Sequence, residues 1–246
     1  MIHSRFFAFG CSFTASETRP TWADIIGSEF THYENWARPG SGNQYIFNSL
    51  VECHARRKFT SEDTVYIMWT SVSREDRYVQ AKGGWIGQGT VYHHYIYDEK
   101  FTREFACERG YLIRDLATIS ATKDLLDHWG VKYRFLAMLP IVNASELAES
   151  KASDNQDVAK LYQPVLDSIA PSVWEVIFKK ENWNNKPSDF GPKWGQGVRD
   201  PHPDPIEALE YVEQVCPEFS IHETTRSWCR NFKFGDKKFL NKIGRL

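Results

Sequence analysis

RFFAFGCSFT, residues 5–14, decides the fold. Phe6 to Phe9 form an apolar aromatic run too short for a helix, which reads as a buried strand of a parallel sheet. Gly10 then permits a sharp turn, and Ser12 follows two residues later, just as a polar, helix-compatible stretch from Thr14 to Phe30 takes over. This order exposes the Ser12 hydroxyl at the carboxyl end of a strand, near a helix N-terminus whose unsatisfied N–H groups can hold a developing oxyanion. A serine here also reads as the cap of that helix. Cys11 is a second nucleophile by identity, but at such an elbow its side chain points away from that of Ser12.

Outward from this stretch, strands and helices alternate. Trp22, Ile25, Ile26 and Phe30 recur at helical spacing, so a helix over 16–30 is expected to pack on the sheet. A short strand over 31–36 leads into ARPGSGNQYIFNSL, residues 37–50. Pro39, Gly40, Ser41 and Gly42 make a tight turn there, and Tyr45, Ile46, Ser49 and Leu50 continue as one helical face. A glycine turn between strand and helix aims backbone N–H groups into the cleft above the sheet. It lacks both the GxGxxG spacing of a dinucleotide loop and the lysine of a P-loop. Residues 63–70, DTVYIMWT, form the next strand, whose end presents Thr70, Ser71 and Arg74 at the same carboxyl edge as Ser12 and Gly40. That edge is where open parallel sheets bind ligands.

The later chain continues the rhythm, with a helix over 112–129 ended by Gly130 and a strand over 131–139 closed by Pro140. A helix over 152–169 interrupted at Pro164 and a last strand over 173–178 are expected next. In VRDPHPDPIEALEYVEQV, residues 198–215, Pro203 and Pro205 fix a rigid loop, and Ile206, Leu209, Val212 and Val215 stripe the helix after it. Asp200 and His202 are thus presented immediately before a helix, where a catalytic His can reach back over the sheet.

Residues 79–110 break the pattern: four glycines in the first eleven residues precede a dense aromatic run. The stretch reads as an inserted lid or hairpin, either a mobile cover with glycine hinges or a structural flap. As a cover it would contribute Trp85, Tyr92, Tyr95 and Tyr97 to substrate binding, alongside Arg74. His93 and His94 face opposite ways on a strand and make a poor metal pair. No metal or other cofactor is expected.

The 246 residues suit one α/β domain, and aromatics at 15% exceed what a core requires, as rings lining a ligand cleft would. Net charge is −2, but from Arg226 onward seven basic residues face one acid, for a local net of +6. A basic tail can hold nucleic acid; a solvated or self-packed terminus is the expectation, and nucleic acid is not expected as a partner. Domain bounds of 1–216, with the insertion at 79–110, and a basic extension over 217–246 follow. Five scattered cysteines without a CxxC argue against a disulfide scaffold or zinc site and suit a reducing compartment. With no signal-like start and no run long enough to span a bilayer, a cytoplasmic protein is expected. Nothing in the sequence fixes an oligomeric state.

An early Ser at a strand end, a Gly turn after the second strand, a polar edge after the third and an Asp-x-His-Pro before the last helix, in that order, resemble the SGNH, or GDSL-type, hydrolases. The resemblance runs from about Phe6 to Val215. It implies a flavodoxin-like three-layer α/β/α sandwich around a parallel sheet. It also implies an esterase that hydrolyses or transfers a small acyl group, such as O-acetyl on a carbohydrate. Position by position, the nucleophile falls on Ser12 and the second-block oxyanion donor on Gly40, five residues after Asn35. The general base falls on His202, and its orienting acid on Asp200. Two departures stand out: the Asp is two residues before the His rather than three, and Ser71 stands where the third-block Asn is usual. Ser71 or Asn43 would then supply the remaining oxyanion contact. The other reading is a catalytically impaired SGNH-fold module that binds a carbohydrate or a partner.

Overall fold

The structure, a computed structural model, describes residues 2–87, 89–93, 97–142, 155–178 and 202–233. Apolar residues on both sides of a strand require cover on both faces of the sheet, and three strands show this in register. In β1 (Ile2–Phe9), Phe6 and Ala8 face one apolar cluster while Phe7 and Phe9 face another. In β3 (Thr64–Trp69), Tyr66 and Met68 share the first face and Val65, Ile67 and Trp69 the second. In β6 (Lys132–Ala137), Leu136 and then Phe135 and Ala137 divide the same way. With β2 (Phe30–Asn35) at the edge, the described strands pair in parallel in the order β2-β1-β3-β6. On the first face lie α1 (Trp22–Gly27), α7 (Pro205–Val215) and α8 (Glu223–Arg230). On the second lie α2 (Asn43–Arg57) and α4 (Glu108–Trp129), with α5 (Gln156–Leu161) and α6 (Gln163–Leu166) beside them. The chain is thus an α/β/α sandwich.

From β1 the chain winds to β2 on one side and then crosses to β3 on the other, so the order reverses at β1. The carboxyl end of β1 is therefore the topological switch point, where such sheets open a crevice. At the opposite end, Arg5 reaches both oxygens of buried Asp63 at 2.7 and 2.6 Å, tying β1 to the start of β3.

Three expectations are corrected. The helix expected over 16–30 is only α1, because the chain first spends Ser12 to Thr21 on turns. Residues 173–178 are not a strand: Trp174–Phe178 is a π-helical segment, with Val173, Val176 and Ile177 at helical spacing on the first cluster. Ser172 starts it by donating both its N–H and its hydroxyl to Glu175, at 2.8 and 2.7 Å. The stripe of α7 is Ala208, Leu209, Tyr211, Val212 and Val215, and Ile206 is exposed. Beyond residue 216, Ile221 and Cys229 are buried in the first cluster, so the chain through α8 packs on the sandwich. No helix among the described residues is long and apolar enough to cross a membrane.

The stretch after β3 forms a small antiparallel hairpin, β4 (Arg77–Val79) with β5 (Gly84–Ile86), followed by α3 (Glu99–Phe105).

Candidate active site

After β1 the chain turns back on itself so tightly that a Cβ on Gly10 would lie 2.0 Å from Thr14 Oγ1. The N–H groups of Thr14 and Ala15 both donate to the Cys11 carbonyl, which closes the turn under Ser12. Because α1 begins ten residues later, Ser12 caps no helix. Its hydroxyl instead lies 2.7 Å from Nε2 of His202, 190 residues away in sequence.

His202 is placed by the start of α7. Asp204 caps that helix, accepting from Glu207 N at 2.8 Å, while Glu207 accepts from Asp204 N at 2.9 Å. Pro205 occupies the first turn, where no N–H is needed. The Phe13 ring packs 4.9 Å from the imidazole, and Arg19 Nη1 donates to the His202 carbonyl at 3.4 Å. Neither contact was read from the sequence, because Phe13 resembles core and Arg19 sits in a polar loop. Asp200 lies outside the described residues.

The second-block turn is held from several sides. Trp36 N donates to Ala8 O at 2.8 Å and Arg38 N to Gly10 O at 3.2 Å, laying the segment after β2 along the end of β1. The Asn35 amide donates to Thr14 O at 2.8 Å, joining this segment to the Ser12 turn. Ser41 N closes back on Arg38 O at 3.2 Å, with Gly40 between them at φ 76°, a conformation that favours glycine. Asp76 accepts from Gly42 N and Tyr45 N, both at 2.8 Å, and thereby fills the N-terminus of α2. Burial pushes the Asp76 carboxyl upward, against these two donors and the nearby arginines. Among the described residues, the N–H groups of Ser12 and Gly40 donate no hydrogen bond. An oxyanion donor must be an N–H not already spent in this way.

Asn43 is not available for that role. Its amide nitrogen donates to Thr70 O at 3.1 Å and to Asp115 at 2.7 Å, and its oxygen accepts from Thr70 N at 2.9 Å. Both of its N–H bonds are spent, one tying α2 to the end of β3 and the other tying it to α4. Burial pushes the Asp115 carboxyl up to about 6, with the Arg114 guanidinium and the Asn43 amide pulling it down. The Ser71 hydroxyl lies 3.0 Å from that of Ser73, within its own loop. Arg74 donates to Ser41 O at 2.9 Å, and its other Nη is 3.8 Å from the Met138 sulfur. Cys11 is fully buried, its sulfur 3.8 Å from that of Met138, so it faces away from the cleft.

Beside the Ser12–His202 pair runs a narrow crevice lined by Phe13, Thr21, Trp22, Val173 and Tyr211 among others. Its volume is about 10 Å³, close to the space one water molecule needs. Trp85, Tyr92 and Tyr97 do not line it. Trp85 packs edge-on against Tyr45 and Tyr78, at 6.2 and 5.8 Å, and Tyr97 stacks on Phe101 at 4.5 Å. Tyr92 is partly exposed, and Tyr95 lies outside the described residues. Trp85 thus packs against α2 and Tyr97 within the insertion. Among the described residues, no group of three or more His, Cys, Asp or Glu is arranged to hold a metal ion.

No protein-family model and no curated protein matches the sequence. Solved structures similar to this chain include a member of the lipolytic protein G-D-S-L family from Veillonella parvula. That chain is 11% identical, with 88% of this chain and 98% of that one covered, at a TM-score of 0.45. Another is a candidate acylhydrolase from Bacteroides fragilis, 12% identical over 92% of this chain and 88% of that one, at a TM-score of 0.42. The chain is similar to GDSL-type hydrolases. At these scores the likeness adds nothing to the assignment of the site, which rests on its own geometry.

Proposed function

We propose that the protein is a serine ester hydrolase of SGNH type acting on a small acyl group, with Ser12 as nucleophile and His202 as general base. The observation that carries this reading is the 2.7 Å contact between Ser12 Oγ and His202 Nε2 at the switch point of the sheet. In the acylation step Ser12 Oγ attacks the ester carbonyl carbon, and its proton passes to Nε2. The carbonyl oxygen gains the negative charge and meets the N–H groups of Ser12 and Gly40, each worth roughly 3 kcal/mol of barrier. As the tetrahedral intermediate collapses, the His202 proton goes to the leaving alcohol. Water activated by His202 then attacks the acyl-serine and restores the enzyme. Asp200 is assigned by motif position to hold the imidazole tautomer. A crevice this narrow gives no room to a long acyl chain, and an O-acetylated sugar is the substrate class we favour.

Release of p-nitrophenol from p-nitrophenyl acetate tests the reading. The wild type is expected to turn over and Ser12→Ala to be slower by about three orders of magnitude or more; equal rates would end the reading.

A further inference from the structure

The oxyanion turn has an outer side, and the insertion occupies it. Gly89 N donates to the Gly40 carbonyl at 2.9 Å. Gly87 lies so close that a Cβ there would meet Ser41 N at 2.7 Å and Gly40 C at 2.8 Å. Only a residue without a side chain lets the two backbones approach this far. The same few residues are also stitched to the loop after β3. Thr90 bridges Arg74, Val91 N donates to Ser73 O at 2.9 Å, and the hydroxyls of Thr90 and Ser73 lie 2.9 Å apart. Arg74 in turn donates to Ser41 O. Upstream, β4 and β5 pair over three residues each, so Gly87 follows directly from a hydrogen-bonded hairpin. In the glycine turn, Gly40 O and Ser41 O therefore both accept from the clamping segments, while among the described residues the Gly40 N–H donates no hydrogen bond.

We propose that the hairpin end, through Gly87 and Gly89, is a built-in clamp that fixes Gly40 as an oxyanion donor by joining the second-block turn to the third-block loop. Gly87 and Gly89 are positioning residues, not catalytic ones. Gly87, which reads as part of a hinge in the sequence, is here a point of close approach. The proposal rests on the esterase reading above, since an oxyanion donor matters only to acyl chemistry.

Gly87→Ala tests it, with Gly84→Ala as the control, because a Cβ at Gly84 meets nothing nearer than 3.9 Å. The added methyl must displace the Gly40–Ser41 peptide. kcat on p-nitrophenyl acetate is therefore expected to fall about 10²-fold, the effect of an ångström-scale misplacement. KM is expected to stay within about two-fold, and the shape of the pH–rate profile to hold, because His202 is untouched. Gly84→Ala is expected to behave as wild type. In the wild type, amide exchange followed by NMR should find the Gly89 N–H protected, a measurement that needs neither activity nor a folded variant. A Gly87→Ala protein with wild-type kcat, a loss confined to KM, or a freely exchanging Gly89 amide would overturn the clamp. A wild type inactive on the ester would overturn the esterase reading and the clamp's catalytic role with it, while active wild type with an indifferent Gly87→Ala would sink the clamp alone.

Discussion

Ser12 and His202 are joined by one hydrogen bond, so in the proposed reaction neither acts without the other. Without His202 the Ser12 hydroxyl has no base to take its proton, and without Ser12 the imidazole has no nucleophile to serve. Ser12→Ala and His202→Ala are therefore each expected to lower kcat by about three orders of magnitude or more, with the double variant no slower than the slower single. Steady-state kinetics on p-nitrophenyl acetate measure this, and losses that multiply in the double variant would mean that the two residues act independently. The residual rate in all three would come from the donors at Ser12 and Gly40 and from binding.

At the scale of the element, α7 is the part that delivers the base. Its amphipathic face anchors it to the first side of the sheet, and the Asp204–Glu207 capping box fixes where it starts, with only Pro203 between the cap and His202. Losing an N-cap costs about 1 kcal/mol, so Asp204→Ala should lower the thermal midpoint by a few degrees. Because the cap also fixes the His202 loop, kcat should fall with it while KM barely moves. Asp204→Asn keeps an accepting oxygen and should retain most of both properties. Thermal melts beside kinetics separate the cases, and an Asp204→Ala protein that melts lower yet turns over normally would show that Pro203 alone holds the loop.

For the molecule as a whole, the site stands on a buried polar network joining α2, β3 and α4. Asp115, fully buried, takes the Asn43 amide at 2.7 Å and Arg114 Nε at 2.7 Å, and Asn43 brackets Thr70. Burial raises the Asp115 carboxyl from 3.8 to about 6. Between these values the folded protein keeps a proton that the unfolded chain has released, so this group's contribution to stability falls as pH rises through the window. Above pH 6 the penalty is complete, on the order of 1–3 kcal/mol. Urea unfolding of wild type and Asp115→Asn from pH 4 to 7 should show the wild type losing that much relative to the variant. Parallel pH profiles would mean that Asp115 ionises in the folded state as it does when unfolded.

Most of the layer structure was legible in the chain, because it is written in local patterns. Alternating apolar faces in β1, β3 and β6, the Gly10 turn, the Pro39–Gly42 turn and the Asp204–Pro205 start of α7 are each fixed by residues within a few positions of one another. The order of those signals also placed Ser12 and His202 at one edge. What local pattern could not supply were contacts between residues far apart. Whether Ser12 capped a helix or faced a base depended on a partner 190 residues away. The spending of both Asn43 N–H bonds depended on Thr70 and Asp115, and the function of Gly87 on a backbone it meets only after the hairpin folds over. Residues 173–178 had the composition of a strand and became a π-helical segment, because Ser172 and Glu175 started a turn there and the first cluster took its apolar side. Sequence determined which segments could bury apolar surface and where the chain must turn. Only tertiary packing decided which backbone donors were spent and which were not, since a hydrogen bond is satisfied by whatever partner the fold brings within about 3 Å.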